Sequence, residues 1–221
     1  MRLAGRGSWS CAITDGQSRL HRALFVRDIC DLNVASAESP PKAHGTDAQP
    51  HLRLDPTRSA AVAVEWLSWW RELVNLQVRL HDTHSAGTAP ATLDRGSLHG
   101  FTRELADRYG LTLRSWDEQA WLAGRPALAE AVSLASLRFS AATDAPPCAK
   151  ASYEAMKSVA KELISERQVQ PDQVKLLFIG LPVPGTWWHL WSPGVVLVAE
   201  DTLRSGTRSR AILRNGYSSA L

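Results

Sequence analysis

The densest apolar stretch of the chain lies near its C-terminus and falls into three pieces. Val174–Ile179 and Val195–Ala199 are short runs of branched and large aliphatic residues bounded by turn residues, as buried strands are. Thr186–Trp191 lies between them and is rich in aromatic residues, which favour strands. Pro184-Gly185 and Pro193-Gly194 separate the pieces, because proline fixes φ and glycine accepts the positive φ of a turn. The pattern predicts a three-stranded antiparallel meander.

A second pattern has the period of an α-helix. From about Thr57 to Asp82, apolar residues recur at alternating spacings of four and three and form one continuous seam. The seam consists of Val62, Trp66, Trp69, Leu73, Leu76 and Leu80. Shorter helical patterns follow at 97–109, 116–123, 126–139 and 153–167. The chain is therefore predicted to be an α+β protein, with four to five helices packed on a small antiparallel three-stranded sheet near the C-terminus.

Polar and proline-rich segments set the expected domain boundaries. Residues 1–56 contain only scattered apolar residues and end in a stretch rich in proline and alanine, which predicts a disordered N-terminal arm and linker. Residues 57–201 are expected to form a single α+β globular domain. Residues 202–221 carry four arginines, no acidic residue and only weak periodicity, so they are expected to form a frayed helix or a basic tail.

Charge and cysteine content argue against several classes of protein. The formal net charge of +3 is too small to indicate nucleic-acid binding, and residues 57–201 are slightly acidic, with fourteen basic and sixteen acidic residues. Three cysteines without a C-x-x-C pair fit neither a disulfide framework nor a zinc module. No apolar run reaches the ~20 residues of a membrane span, and no signal peptide is evident. These features predict a soluble, cytoplasmic protein.

The aromatic segment is the candidate binding site. In a strand, Trp187, His189 and Trp191 share one face, and Trp188 and Leu190 share the other. Two interpretations are open, because the tryptophans either close the core against helices or form a surface for a ligand or partner. The leading hypothesis is an accessory or binding protein. It presents Trp187, His189 and Trp191 to a small molecule or a protein partner.

One alternative is a regulator that binds DNA through a helix-turn-helix in the middle of the chain. The residues that would contact DNA are Arg103, Arg108 and Arg114. The would-be recognition helix also contains Asp117 and Glu118, whose charges repel phosphate. Nucleic acid is therefore not the expected partner.

Another alternative is a metal-dependent hydrolase that uses His81 and His84 near the end of the long helix. Two histidines need further ligands to hold a metal, and the chain has no H-E-x-x-H motif. Nucleotide-binding and nucleophile motifs are also missing from the sequence. The sequence thus identifies no metal site, no cofactor and no catalytic residue, and it leaves enzymatic activity and oligomeric state open.

Overall fold

The computed structural model describes residues 10–15, 18–46, 51–85, 117–139, 150–168 and 175–219. Within these ranges the strands are β1 (Ser10–Asp15), β2 (Lys175–Leu181), β3 (Trp188–Ser192) and β4 (Val195–Ala199). The helices are α1 (Ser18–Ile29), α2 (Pro56–Ser85), α3 (Glu118–Ala123), α4 (Pro126–Phe139), α5 (Lys150–Arg167), α6 (Glu200–Arg204) and α7 (Gly206–Ser219). The α+β class is confirmed, whereas the predicted number of helices was too low.

The sheet is mixed, with the strand order β1-β2-β4-β3. The strands β1, β2 and β4 run parallel, and β3 lies antiparallel to β4 at the edge. The loop of residues 182–187 therefore passes over the end of β4 before β3 begins, and the turn at Pro193-Gly194 brings the chain back between β2 and β3. The predicted antiparallel meander is wrong, although its three strands occur close to their predicted positions.

The composition of β4 explains its central position. All five of its residues are buried, so neither face is left to solvent, and both of its edges are paired. Continuous apolar strands of this kind are typical of parallel sheets that are covered on both faces. The strand β3 alternates between exposed and half-buried residues. It therefore suits the edge of the sheet.

Helices cover both faces of the sheet, and each face has its own hydrophobic cluster. Alternate strand residues belong to opposite clusters, because side chains alternate along a strand. On the first face, α1, α2, α3 and α4 pack against Leu177, Ile179, Leu181, Val195 and Leu197. On the second face, α5, α6 and α7 pack against Leu176, Phe178, Val196 and Val198.

The structure differs from the predicted disordered arm over residues 18–46. Helix α1 lies in the core of the first face, where Leu20, Leu24 and Ile29 are buried. It packs against α2 and α4, and its buried residues extend around most of its circumference, so the sequence shows no single apolar stripe. The elements that bury α1 are distant in the sequence. Local patterning therefore could not reveal its position.

A buried ion pair fixes the chain that follows α1. The side chains of Arg27 and Asp28 are only 5% and 1% exposed, with 2.6 Å between the guanidinium and the carboxylate. Arg27 also donates to the Ser39 hydroxyl and to two proline carbonyls. The second carboxylate oxygen of Asp28 accepts from the backbone N–H of Ala43 at 2.7 Å. Residues 39–43 are thus tied to the core.

At the C-terminus, the structure differs from the predicted frayed helix or basic tail. Helix α7 completes the second face, where Tyr217 is buried with its ring centroid 6.5 Å from that of Phe178. Gly216 approaches the sheet so closely that a Cβ there would be 2.9 Å from Val196 Cγ2. Two arginines of α7, Arg210 and Arg214, pair with glutamates of α5. These contacts account for part of the basic charge seen in the sequence.

Candidate functional site

The three rings predicted to share a face of the aromatic strand lie side by side. The ring centroids of Trp187 and His189 are 6.3 Å apart with the planes nearly parallel, at 13°. His189 and Trp191 are also 6.3 Å apart, but their planes meet at 73°. We call Trp187, His189 and Trp191 the aromatic row. All three residues are half-buried.

Contacts with the hydrophobic core hold the aromatic row in position. Trp187 and Trp191 pack against the hydrophobic cluster of the first face. Trp191 is the extra residue of a β-bulge, because Leu190 pairs with Val196 while Ser192 pairs with Val195. The indole N–H of Trp191 donates to Asn75 Oδ1 on α2 at 3.0 Å. The row therefore closes part of the core and also retains accessible ring surface.

The opposite face of β3 is the more open one. Trp188 and Leu190 are 38% and 40% exposed, and they lie two residues apart on the same face. Sequence alternation placed these residues together, but the prediction favoured the other face. Within the described residues, β3 pairs with β4 alone, so its outer hydrogen-bonding edge has no neighbouring strand there.

The start of β3 meets the carboxyl edge of the parallel strands. The backbone N–H of Ala199, at the end of β4, donates to the carbonyl oxygen of Trp187 at 2.9 Å. The Thr202 hydroxyl donates to the carbonyl oxygen of Gly185 at 3.0 Å. The loop of residues 182–187 is therefore held against the first turn of α6.

Two histidine–carboxylate contacts lie at the same edge. His44 Nε2 is 3.0 Å from Asp201 Oδ2, and His21 Nε2 is 3.9 Å from Glu200 Oε1. Helix α1 begins at this edge and covers the first face, whereas α6 begins there and packs on the second face. Open α/β sheets commonly bind ligands where helices diverge to opposite faces in this way. However, no group of three or more potential metal ligands is found among the described residues.

Most residues of the two alternative functions lie outside the described part of the chain. Arg103, Arg108 and Arg114 lie outside the described residues, so the DNA-binding alternative stays a prediction. The side chain of His84 is also outside the described part. Burial raises the pKa of the Cys30 thiol to about 11 and outweighs the charge of Arg138, which acts in the opposite direction. This thiol is therefore protonated and poorly nucleophilic at neutral pH.

A shallow cleft of about 200 Å³ lies where α1 ends and is lined in part by Arg27, Asp31 and Lys42. Arg27 is already bonded to four acceptors. Lys42 pairs with Asp31 at 3.2 Å. The two cations of this cleft are thus already satisfied by the protein itself, which leaves little charge for recognising a ligand.

Comparison with known proteins adds no assignment. No family model, curated protein or solved structure matches the chain. Among the described helices, none is long and apolar enough to cross a membrane. Function must therefore be inferred from the geometry and chemistry of the site.

Proposed function

We propose that this protein is an accessory binding protein that binds an extended segment of a protein partner along β3. One observation carries the proposal. An edge strand exposes two large apolar side chains, Trp188 and Leu190, beside the open side of its ladder. A strand added at such an edge forms main-chain hydrogen bonds and covers apolar side chains in the same step.

The pairing of Trp188 with Leu190 distinguishes β3 from the rest of the described surface. Four large apolar side chains are exposed among the described residues. Val64 and Leu134 lie singly on α2 and α4, and scattered exposure of this kind is ordinary. Trp188 and Leu190 are neighbours on one face of one strand, and tryptophan is enriched among residues that dominate binding energy.

The aromatic row supplies a second contact surface on the other face of β3. Successive side chains of an added strand would alternate between the row and the face of Trp188 and Leu190. Trp191 is held in place by Asn75. A ring that is fixed before binding loses less conformational entropy when the partner arrives.

A protein segment suits this surface better than a small molecule does. Small-molecule sites are concave and enclose most of the ligand, whereas β3 presents side chains on both faces of an open edge. The cleft of about 200 Å³ lies at the end of α1 rather than at β3. The proposal retains the cytoplasmic location predicted from the cysteine content.

The proposal is tested with peptides selected from a random library against the full-length protein. We expect the selected peptides to carry apolar residues at alternate positions. The double substitution Trp188→Ser/Leu190→Ser should weaken their binding by about thirtyfold or more, since loss of an interface hot spot costs about 2 kcal/mol or more. Fluorescence polarisation of labelled peptides measures the affinity.

Val64→Ser is the matched control, because it removes an exposed apolar side chain from α2. It should leave the affinity unchanged. Peptides that bind the double variant as tightly as the parent would contradict the proposal. The proposal would also be contradicted if the parent protein self-associates and the double variant does not. In that case β3 would bind a second copy of this chain.

A further inference from the structure

The turn formed by residues 43–46 is held from the inside by Asp28. The same carboxylate oxygen accepts from the backbone N–H of Ala43 at 2.7 Å and from the Thr46 hydroxyl at 3.3 Å. Gly45 has a φ of +78°, a conformation that residues with a side chain rarely adopt. The turn therefore depends on a glycine and on a buried carboxylate.

The same turn contacts the loop that leads into β3. The backbone N–H of His44 donates to the carbonyl oxygen of Pro182 at 2.8 Å. The His44 ring contacts Asp201 in the first turn of α6, and Thr202 in that turn bonds to Gly185 of the loop. The start of the 182–187 loop is thus hydrogen-bonded to the turn directly, and its middle is hydrogen-bonded to α6.

We propose that the turn of residues 43–46 is a latch that holds the 182–187 loop closed and thereby sets the position of Trp187 at the start of β3. The two sides of the latch differ in burial. Asp28 is buried with a 1% exposed side chain, whereas the side chains of His44 and Asp201 are 51% and 40% exposed. Solvated contacts are weaker than buried ones, so the latch opens on the His44 side while the Asp28 side stays closed.

The consequence for binding rests on the function proposed above. Opening the latch releases the start of the loop before Trp187, and the start of the aromatic row is then held by fewer contacts. A partner segment must order the loop again on binding, which lowers its apparent affinity. Movement of the loop itself does not depend on any partner.

Hydrogen–deuterium exchange of the full-length protein tests the latch with two variants. His44→Ala removes the ring contact with Asp201, and Gly45→Ala strains the turn without a clash, because a Cβ at Gly45 meets nothing within 4 Å. We expect the hydrogen-bonded amides of Val183 and Ala199, which donate to the carbonyl oxygens of Leu181 and Trp187, to exchange about two- to fivefold faster in both variants. The other amides of β4 should be unchanged.

Matched controls are Arg58→Ala, which removes a remote exposed ion pair with Glu130, and Gly124→Ala, at a glycine that is also open but lacks a positive φ. Neither should change exchange in the loop. Loop amides at the parent rate in both latch variants would overturn the proposal, and so would equal acceleration throughout β4. If selected peptides do not bind at β3, the partner proposal fails, while accelerated loop exchange would still support the latch.

Discussion

Asp28→Ala is expected to lower the free energy of unfolding by about 3–5 kcal/mol, because it leaves the guanidinium of Arg27 buried without its charged partner. Arg27 lies with its Cζ atom 5.5 Å from the ring centroid of Trp66, deep in the core of the first face. The substitution also removes the acceptor of the Ala43 N–H and one of the two acceptors near the Thr46 hydroxyl. The chain after α1 would lose one of its attachments to the core, while the hydrogen bonds from Arg27 to residues 39–41 lose the carboxylate that orients the guanidinium.

Urea denaturation monitored by circular dichroism measures this loss. Lys42→Ala is the control, since Lys42 also pairs with a carboxylate, that of Asp31, but at an exposed position. Exposed pairs contribute about 0–1 kcal/mol, so the control should lie within that range. Equal, small losses for the two variants would show that the buried pair does not hold this segment.

Trp66→Ala is expected to cost about 3–5 kcal/mol as well, through the cavity it opens in the core. Trp66 is fully buried, stacks on Trp70 with the ring centroids 5.6 Å apart, and donates its indole N–H to the carbonyl oxygen of Ala23 at 2.7 Å. This hydrogen bond joins α2 to α1. The substitution therefore removes both apolar packing and a tie between the two helices.

Trp66→Phe keeps part of the packing but loses the hydrogen bond, so it should cost about 1–2 kcal/mol. The control is Val64→Ala, two residues earlier on the exposed side of α2, where a change within about 0.5 kcal/mol is expected. Thermal and urea unfolding of the three variants should give this order. A loss for Trp66→Ala no larger than that for Val64→Ala would contradict the assigned core.

The elements that could be predicted from the sequence are those with a strong local pattern. The seam from Val62 to Leu76 gave the position of α2, and apolar runs bounded by Pro-Gly pairs gave β2, β3 and β4. Strand order could not be obtained in this way, because it depends on contacts between elements distant in sequence. The continuous apolar sequence of β4 did indicate a central strand that is buried on both faces. The Pro-Gly turns around β3 nevertheless favoured the prediction of a meander.

Residues 10–15 and 18–46 show the opposite case. β1 is a short strand whose partner, β2, lies more than 150 residues later. Helix α1 is buried by elements that follow it in the chain, and its polar pair, Arg27 and Asp28, resembles a solvated surface in the sequence. Only the three-dimensional arrangement shows that these two charges satisfy each other and the following turn.

The candidate site was predictable in part. Alternation along β3 correctly separated the aromatic row from Trp188 and Leu190. It could not show which of the two faces is more open, since that depends on which helices pack against each face. The contacts of Trp191 with Asn75 and of His44 with Asp201 join residues far apart in the chain, and no spacing rule predicts them.

The most direct measurement of the central claim is hydrogen–deuterium exchange of the parent protein with and without a selected peptide. An added strand should slow exchange of the outward-pointing amides of β3, between Trp188 and Ser192, because they become hydrogen-bonded to the peptide. Slowing that excludes β3 and occurs instead around the cleft at Asp31 and Lys42, or no slowing at all in a peptide-saturated sample, would contradict binding along this strand.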